Sequence, residues 1–305
     1  MNNEYEVIII GGGPAGLSAA IYTARARLRS LLIEKGPVGG QITNAELIEN
    51  YPGFPQGISG MELGQLIHQQ AAKYGLETLA AEATALELQG EKRVVITTQG
   101  KFTARVIIIA SGSERRKLGI AGEAEFTGRG VSYCATCDGP FFKESAVAVV
   151  GGGDAAITEA LQLVKFASRV KLIHHRKELR ASRILQEKAL AEPKIEFIWD
   201  TKVVGIEGRD KVKRLNLSNA VTGEKATLEV AGVFVAIGLK PNTDYLKGVL
   251  PLDDAGYIIT NEKMETSVPG VFAAGDVRLN SAHQAITAAG DGATAAVYAG
   301  KFVSQ

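Results

Sequence analysis

The chain has little cysteine, little net charge and no long apolar run. It contains 2 cysteines among 305 residues, and its formal net charge at pH 7 is +1. Two cysteines cannot build the disulfide framework of a small secreted domain, and a balanced charge disfavours nucleic-acid and membrane-surface binding. No apolar run approaches the roughly 20 residues of a membrane span, and the acidic start lacks a signal-peptide pattern. We therefore expect a soluble cytoplasmic enzyme.

Glycine is abundant, and its positions indicate nucleotide-binding turns. The chain has 35 glycines, and residues 11–16 read Gly-Gly-Gly-Pro-Ala-Gly directly after the mostly apolar run 6–10. Such a run is typical of a strand that is buried on both faces of a parallel sheet. The pattern predicts a helix over about residues 15–26 and a second strand over 31–34, which ends at Glu34.

The same plan occurs a second time. Residues 151–156 read Gly-Gly-Gly-Asp-Ala-Ala. The elements predicted around them are a strand over 146–150, a helix over about 157–166 and a strand over 171–174. His174 follows Ala156 by 18 residues, and Glu34 follows Gly16 by the same 18. We interpret the chain as two copies of one βαβ unit.

Three further apolar runs complete the plan. The predicted strands 105–112 and 232–238 each end in a glycine turn and close the two modules. A strand predicted over 271–276 precedes a helix over about 284–302. Because this last part has no module of its own, we expect it to return to the first domain.

The expected fold is α/β, with two nucleotide-binding domains of the Rossmann-like, three-layer ββα type, the second inserted into the first. The first domain would comprise residues 1–115 and 245–305, and the inserted domain residues 116–244. Linkers are expected near 113–120 and 239–243.

The first glycine turn has the spacing of a dinucleotide-binding site. Gly11, Gly13 and Gly16 permit a tight turn and let a pyrophosphate approach the backbone at the helix N-terminus. Glu34 is then placed to hold a ribose hydroxyl. The alternative is a glycine turn without a ligand, but the preceding strand, the following helix and the acid together favour the nucleotide.

The second turn is followed by basic residues instead of an acid. His174, His175, Arg176 and Arg180 stand where an acid would select a free ribose hydroxyl. Because a cationic cluster selects a 2′-phosphate, this pattern favours NADPH over NADH. A solvated basic helix start is the alternative.

The two cysteines, Cys134 and Cys137, form a Cys-Ala-Thr-Cys motif just before the second turn. Half of a zinc site is one interpretation, but zinc needs four ligands, and His68 and His283 are too scattered to supply them. Inert thiols are another. We favour a redox dithiol, because two intervening residues let a disulfide close within one helical turn. Asp138, the nearby acid, would deliver a proton to a leaving thiolate or, alternatively, cap the next segment.

Six short motifs together are highly specific. They are Gly-Gly-Gly-Pro-Ala-Gly (11–16), Gly-Gly-Gln (39–41), Glu-Asn-Tyr-Pro-Gly-Phe-Pro (49–55), Cys-Ala-Thr-Cys-Asp-Gly (134–139), Gly-Gly-Gly-Asp-Ala-Ala (151–156) and Ala-Ala-Gly-Asp-Val (273–277). Through them the chain resembles the low-molecular-weight thioredoxin reductases of bacteria and archaea over essentially its whole length. The resemblance implies a homodimeric flavoprotein whose FAD-binding domain is split around an NADPH-binding domain that carries the cysteines.

The resemblance also implies a route for the electrons. They would pass from NADPH through FAD to the dithiol, and then to thioredoxin or a thioredoxin-like protein. Cys137 would lie against the flavin, Cys134 would attack the disulfide of the partner, and Asp138 would donate and accept the proton. The inserted domain would rotate between the two half-reactions.

Two sets of cofactor contacts follow from the family pattern and the glycine turns. The predicted FAD contacts are Gly11, Gly13, Pro14, Ala15, Gly16, Glu34, Lys35, Gly40, Gln41, Asn50, Ala83, Ser111, Gly112, Gly275, Asp276, His283, Gln284 and Ala285. The predicted NADPH contacts are Arg129, Gly151, Gly153, Asp154, Ala156, His174, His175, Arg176 and Arg180. No metal is expected.

Two positions depart from the family pattern. His175 stands where the family has arginine, which leaves Arg176 and Arg180 as the fixed cations toward the 2′-phosphate. His283 stands where the family has arginine before the last helix. The flavin contact there becomes pH-dependent, because histidine titrates near neutrality.

Other functions predict other sequence features. A related enzyme would use NADH, ferredoxin or reduced flavin as donor, or would oxidise a small dithiol with oxygen, and the intact second turn argues against complete loss of pyridine nucleotide. A flavin-bound sensor without turnover predicts damaged cysteines or turns. A ferredoxin–NADP reductase predicts no cysteine pair, and a peroxiredoxin-specific reductase predicts an additional N-terminal thiol domain.

Overall fold

The structure is a computed structural model that describes residues 3–45, 48, 50–90 and 92–304, without the side chains of Asn44 and Cys137. The chain divides into two compact units, Met1–Glu114 with Lys240–Gln305 and Arg115–Leu239. The chain passes between these units at 114/115 and 239/240. Both passages lie within short strands that pair with each other.

Both units contain strands and helices, and each has runs of successive strands. In chain order the described strands are β1 (Glu4–Ile10), β2 (Ser30–Glu34), β3 (Glu77–Ala80), β4 (Ala83–Gln89), β5 (Lys92–Thr97), β6 (Gly100–Ile109), β7 (Ser113–Arg115), β8 (Val131–Ser132), β9 (Ala146–Val150), β10 (Arg169–Ile173), β11 (Ile195–Ile198), β12 (Thr201–Gly208), β13 (Val212–Asn219), β14 (Lys225–Glu229), β15 (Gly232–Val235), β16 (Leu239–Pro241) and β17 (Val271–Ala273). The helices are α1 (Pro14–Arg25), α2 (Gly60–Ala72), α3 (Glu123–Phe126), α4 (Ala135–Asp138), α5 (Asp154–Leu163), α6 (Arg183–Ala191) and α7 (Ala285–Val303), with 3-10 turns at Gly40–Asn44, Gly139–Phe142 and Asp244–Leu246.

The first unit is built on one sheet in the order β3-β2-β1-β6-β5-β4, with β17 beside β6. β6 serves two layers, because its first half pairs antiparallel with β5 and its second half pairs parallel with β17. Along β1, Val7 and Ile9 pack toward α1, α2 and α7, whereas Ile8 and Ile10 pack toward β4 and β5. Both faces of the strand are therefore buried, which explains the continuous apolar run.

The second unit repeats this layering. Its parallel sheet has the order β11-β10-β9-β15-β8, and an antiparallel sheet β12-β13-β14 forms the second layer. Along β9, Val147 and Val149 pack against α5, and Ala148 and Val150 pack against β12 and β13. The predicted α/β class with Rossmann-like domains is confirmed.

The ends of three elements differ from the predicted ones. α5 begins at Asp154 instead of 157, because Gly153 is extended and the helix starts directly after the turn. β10 ends at Ile173, so His174 lies just beyond the strand rather than in it. β15 ends at Val235, three residues before Gly238, whose φ is +110°.

Among the described residues, none of the helices combines the length and the apolar character that a membrane crossing requires.

The two helices α1 and α7 approach closely at one glycine. A Cβ added at Gly292 would lie 1.9 Å from the carbonyl oxygen of Ala15, whereas a Cβ added at Gly290, also on α7, would meet nothing within 4 Å. The two glycines therefore lie on the same helix and differ in how closely α1 packs against them.

Gly292→Ala should lower the midpoint of thermal unfolding, because the new methyl must push the α1 backbone away, at a cost of about 1–3 kcal/mol. Gly290→Ala is the matched control and should raise the midpoint, since alanine is about 1 kcal/mol better than glycine inside a helix. Thermal unfolding of the two variants measures both effects. Equal responses would contradict the close approach.

Candidate functional site

The first glycine turn joins the ends of β1 and α1. Gly11 has a φ of +106°, and a Cβ there would lie 2.3 Å from the carbonyl oxygen of Ala110. A Cβ at Gly16 would lie 1.8 Å from the Gly11 oxygen. Both positions thus require glycine. α1 begins at Pro14, which lacks an N–H, and no side chain caps the helix, so its first turn is open to an anion.

Glu34, at the end of β2, reaches back to this turn. Its Oε2 accepts a hydrogen bond from the Gly12 N–H at 2.5 Å, and its Oε1 accepts one from the Gly36 N–H at 2.7 Å. An ionised carboxylate has about four acceptor positions, so Glu34 retains capacity for a ribose hydroxyl. Lys35, in contrast, extends to Glu82 and Glu114 at 3.5 and 3.8 Å.

A second loop of the same unit lies against the glycine turn. The Gly39 N–H donates to the Gly12 oxygen at 2.7 Å, and a Cβ at Gly40 would lie 3.0 Å from the Cα of Gly13. Gln41 follows in an exposed 3-10 turn. Gly40 and Gln41 are therefore brought beside the residues predicted to hold the pyrophosphate.

Residues far apart in the chain meet at the start of α7. The Asn50 side-chain amide donates to the Gln284 side-chain oxygen at 3.1 Å, and Ala285 begins the helix. Asp276 accepts a hydrogen bond from the Ser281 hydroxyl at 3.0 Å, and its Oδ2 lies 3.6 Å from His283 Nδ1. The predicted residues of this group thus share one end of the unit, and the described contact of His283 Nδ1 is with Asp276.

Three further predicted residues, Ser111, Gly112 and Ala83, lie near the ends of strands of the first unit. The Ser111 hydroxyl donates to the Asn242 oxygen at 2.8 Å, and Gly112 has a φ of +65° with open space at its Cβ position. Ala83 begins β4, two residues after Ala81, whose N–H donates to the Glu34 oxygen at 3.0 Å.

A buried ion pair beneath Asp276 was not predicted from the sequence. Asp291 of α7 binds Arg278 through both carboxylate oxygens, with Nε–Oδ2 at 2.6 Å and Nη2–Oδ1 at 2.9 Å. Its Oδ2 also accepts from the Gly275 N–H at 3.1 Å. A bidentate pair of this kind fixes the relative geometry of the two side chains. It therefore holds the turn that carries Asp276 against α7. The available signal was the helical spacing of Asp291 from the buried residues Ala288 and Ala295.

The second glycine turn repeats the first in the other unit. Gly151 has a φ of +154°, and a Cβ there would lie 2.3 Å from the Ala236 oxygen. Gly153 has open space at its Cβ position and no side chain caps α5. Asp154 accepts from the Ser182 N–H at 2.6 Å, and the Arg180 N–H donates to the Gly152 oxygen at 2.7 Å. Residues 180–182 are thereby tied to the turn.

His174, a predicted member of the basic cluster, is buried against the second glycine turn. It is 2% exposed and its ring lies over Gly152, so near that a Cβ there would be 2.3 Å from Cε1. Neither ring nitrogen makes a hydrogen bond of normal geometry to a described residue. Burial, reinforced by His175 and the nearby arginines, lowers the pKa of His174, so the ring is neutral at physiological pH.

The exposed basic residues beyond it remain as candidates for phosphate. His175, Arg176 and Arg180 are exposed, and partial burial followed by the charge of Arg176 lowers the pKa of His175. Arg129 lies elsewhere in the unit: its Nη2 donates to the Glu125 oxygen at 2.5 Å and its guanidinium lies 5.7 Å from the Phe126 ring centroid. No described contact joins Arg129 to the second turn.

The cysteine motif forms the short helix α4. Cys134 is disulfide-bonded, and its carbonyl oxygen accepts from the Asp138 N–H at 3.1 Å. The side chain of Cys137 lies outside the part that the structure describes, so its role stays a prediction. The Thr136 hydroxyl contacts the Gln162 side chain of α5 at 2.9–3.1 Å. Asp138 ends α4 and directly precedes the next 3-10 turn, but its carboxylate makes no capping hydrogen bond to a described residue, contrary to the alternative interpretation.

Two glycine turns at the carboxyl ends of parallel strands, with a disulfide-bonded cysteine in the second unit, define an α/β protein built to bind nucleotides and to perform redox chemistry. The family model described as "Pyridine nucleotide-disulphide oxidoreductase" matches residues 5–292. The chain belongs to this family, and within it to the bacterial-type thioredoxin reductases.

The similarity to these relatives extends over the whole chain. A thioredoxin reductase of Streptomyces coelicolor is 46% identical over 100% of this chain and 95% of its own length. One of Peptoclostridium acidaminophilum is 44% identical over 99% and 98%. The crystal structure of thioredoxin reductase from Streptococcus pyogenes has a TM-score of 0.85 and 42% identity, covering 100% of this chain and 99% of that one.

Glu159 of α5 is a second carboxylate that the sequence did not single out. Its Oε1 lies 3.1 Å from Arg115 Nη1, and its buried Oε2 has no hydrogen-bond partner among the described residues. Burial raises the pKa of Glu159 to about 7, although the Arg115 guanidinium opposes the shift. The folded state therefore binds a proton at this carboxyl more tightly than the unfolded chain does.

Glu159→Gln should remove a pH dependence of stability. The contribution of this carboxyl is full below the ordinary carboxyl pKa and is lost as the pH rises through about 7. Thermal unfolding between pH 5 and pH 8 should show the unmutated protein losing stability relative to Glu159→Gln. Glu207→Gln, at an exposed carboxylate whose pKa is lowered by Asn216 and Arg214, should follow the unmutated protein with a constant offset. A constant offset for Glu159→Gln would contradict the raised pKa.

Proposed function

We propose that this protein is an NADPH-dependent thioredoxin-disulfide reductase, which passes electrons through FAD and the Cys134/Cys137 pair to the disulfide of thioredoxin or a thioredoxin-like protein. The observation that carries the proposal is the disulfide-bonded Cys134 in the same unit as an uncapped glycine turn. The identity of 44–46% to thioredoxin reductases over nearly the full chain supports it.

The residues of the first unit fit an FAD nucleotide. A Cβ at Gly13 would meet only the Gly39 oxygen, at 3.9 Å, so the backbone is open to a pyrophosphate. The uncapped start of α1 supplies N–H donors and a favourable dipole for that anion. Glu34 accepts from two backbone N–H groups and retains acceptor positions for a ribose hydroxyl. When bound, the flavin supplies a carrier between a two-electron donor and a dithiol.

The residues of the second unit fit a pyridine nucleotide. Gly153 leaves the backbone open at the start of α5, and the Arg180 backbone is fixed to Gly152. Arg176 and Arg180 are exposed guanidinium groups, suited to a 2′-phosphate. His174 offers a neutral ring to the nucleotide instead of a charge.

The cysteine chemistry follows from the family resemblance and from local structure. Cys134 would attack the partner disulfide, and Cys137 would exchange electrons with the flavin. Asp138 would hold the proton that a leaving thiolate requires, and its carboxylate is not used as a helix cap. A homodimer and a cytoplasmic location are part of this proposal. The open second turn favours a pyridine nucleotide as donor over ferredoxin or reduced flavin.

Cys134→Ser should abolish thioredoxin reduction and leave flavin reduction by NADPH intact, because the first half-reaction does not need the outward-facing thiol. Anaerobic titration of the FAD-loaded variant with NADPH, followed by flavin bleaching, measures the first step, and a thioredoxin-coupled assay measures the second. Cys137→Ser should also lose turnover and keep FAD. Normal thioredoxin turnover by either variant would contradict the proposal.

Arg176→Ala and Arg180→Ala should each raise the KM for NADPH by roughly tenfold or more and leave the KM for NADH nearly unchanged. A charge-assisted hydrogen bond to phosphate contributes about 1.5–3 kcal/mol, and about 1.4 kcal/mol is tenfold. Lys177→Ala is the matched control: Lys177 is 79% exposed and lies 3.9 Å from Asp200. His175→Arg should lower the KM for NADPH. Equal responses to the two nucleotides would overturn the assignment of the phosphate.

A further inference from the structure

A buried carboxylate lies beneath the residue that precedes Cys134. Glu123 begins α3 and is 3% exposed. Its Oε1 accepts hydrogen bonds from the Tyr133 hydroxyl and from the Leu118 N–H, both at 2.8 Å, and its Oε2 accepts one from the Gly119 N–H at 2.7 Å. An ionised carboxylate is stable in such a position only when donors surround it, and these three donors provide that compensation.

The donors come from two segments of the second unit that are separate in sequence. Leu118 and Gly119 follow β7, the strand that enters the second unit. Tyr133 lies between β8 and α4, directly before the redox cysteine. One carboxylate therefore fastens the entry of the chain into this unit to the segment that carries Cys134.

The backbone around Cys134 is held from both sides. Ser132 is buried, and its Oγ accepts from the Cys134 N–H at 3.1 Å. The Asp138 N–H donates to the Cys134 oxygen at 3.1 Å. The Tyr133 side chain is a further anchor of this segment, and burial, with Glu123 beside it, raises the pKa of Tyr133 to about 12. Its hydroxyl therefore stays protonated and stays a donor at every working pH.

We propose that Glu123 and Tyr133 are positioning residues, which hold Cys134 in its disulfide-bonded geometry and thereby set the reduction potential of the cysteine pair. The inference rests on the proposed function in that it takes Cys134 and Cys137 to be the redox pair. A closed disulfide needs both sulfurs within a narrow geometry, whereas the open dithiol tolerates movement. Loss of the anchor therefore weakens the disulfide relative to the dithiol.

The variant Tyr133→Phe removes the hydroxyl and keeps the ring, which packs against the core of the second unit. The chain offers a matched control, because Tyr5 donates to Glu77 at the same 2.8 Å in the first unit. Tyr5→Phe deletes a tyrosine–glutamate bond of the same length, at an exposed glutamate far from the cysteines in sequence.

The measurement is the equilibrium of the cysteine pair with dithiothreitol, using the full chain and counting free thiols by alkylation and mass spectrometry. Closing the disulfide removes two electrons and two protons from the thiols, and oxidised dithiothreitol takes them up as it opens to its dithiol. Tyr133→Phe should lower the equilibrium constant for disulfide closure about threefold to tenfold. At about 30 mV per tenfold for two electrons, this raises the potential by about 15–30 mV.

Tyr5→Phe should leave the potential unchanged. Glu123→Gln should shift it in the same direction as Tyr133→Phe, and the double variant should not add the two shifts, because both act through one bond. Unchanged potential in Tyr133→Phe overturns the inference even if thermal stability falls, since a merely structural role predicts that result. If the pair of the unmutated protein does not oxidise at all, the inference and the proposed function fall together.

Discussion

The structure depends on two glycines, one in each unit, at which the end of one strand approaches the end of its neighbour too closely for a side chain. In the first unit the end of β1 meets the end of β6, and a Cβ at Gly11 would lie 2.3 Å from the Ala110 oxygen. In the second unit β9 meets β15, and a Cβ at Gly151 would lie 2.3 Å from the Ala236 oxygen. This approach aims the following helix N-terminus at the edge of the sheet, where an anion can bind.

Equivalent positions in the two units perform different chemistry. Glu34 and His174 follow their glycine turns at the same spacing, and each reaches back to the middle glycine. Glu34 accepts the N–H of Gly12 as a half-buried carboxylate, whereas His174 covers Gly152 with a buried, neutral ring. The position that holds an acceptor carboxylate in the first unit therefore holds a histidine in the second. In the proposed function, the exposed Arg176 and Arg180 would bind the 2′-phosphate instead.

Local pattern predicted much of the fold, and long-range contacts account for what it missed. The buried runs around Val7 and Val147 and the spacing of the glycine turns are local, so the layers and their repetition were legible in the sequence. The lowered pKa of His174 was not, because it comes from burial of the ring against Gly152. Nor was the contact of Asn50 with Gln284, since 234 residues separate the two and folding alone joins them.

The segment that carries the two cysteines depends on contacts with residues outside it. α4 has four residues and is too short to be stable alone, so its geometry must be imposed from outside. Ala135 is buried in the core, Thr136 is bound to Gln162 of α5, and Tyr133 is bound to Glu123. Tyr133 precedes Cys134, and Ala135 and Thr136 lie between the two cysteines in sequence. The proposed role of Glu123 and Tyr133 follows from this arrangement, in which residues outside α4 fix the geometry of the segment.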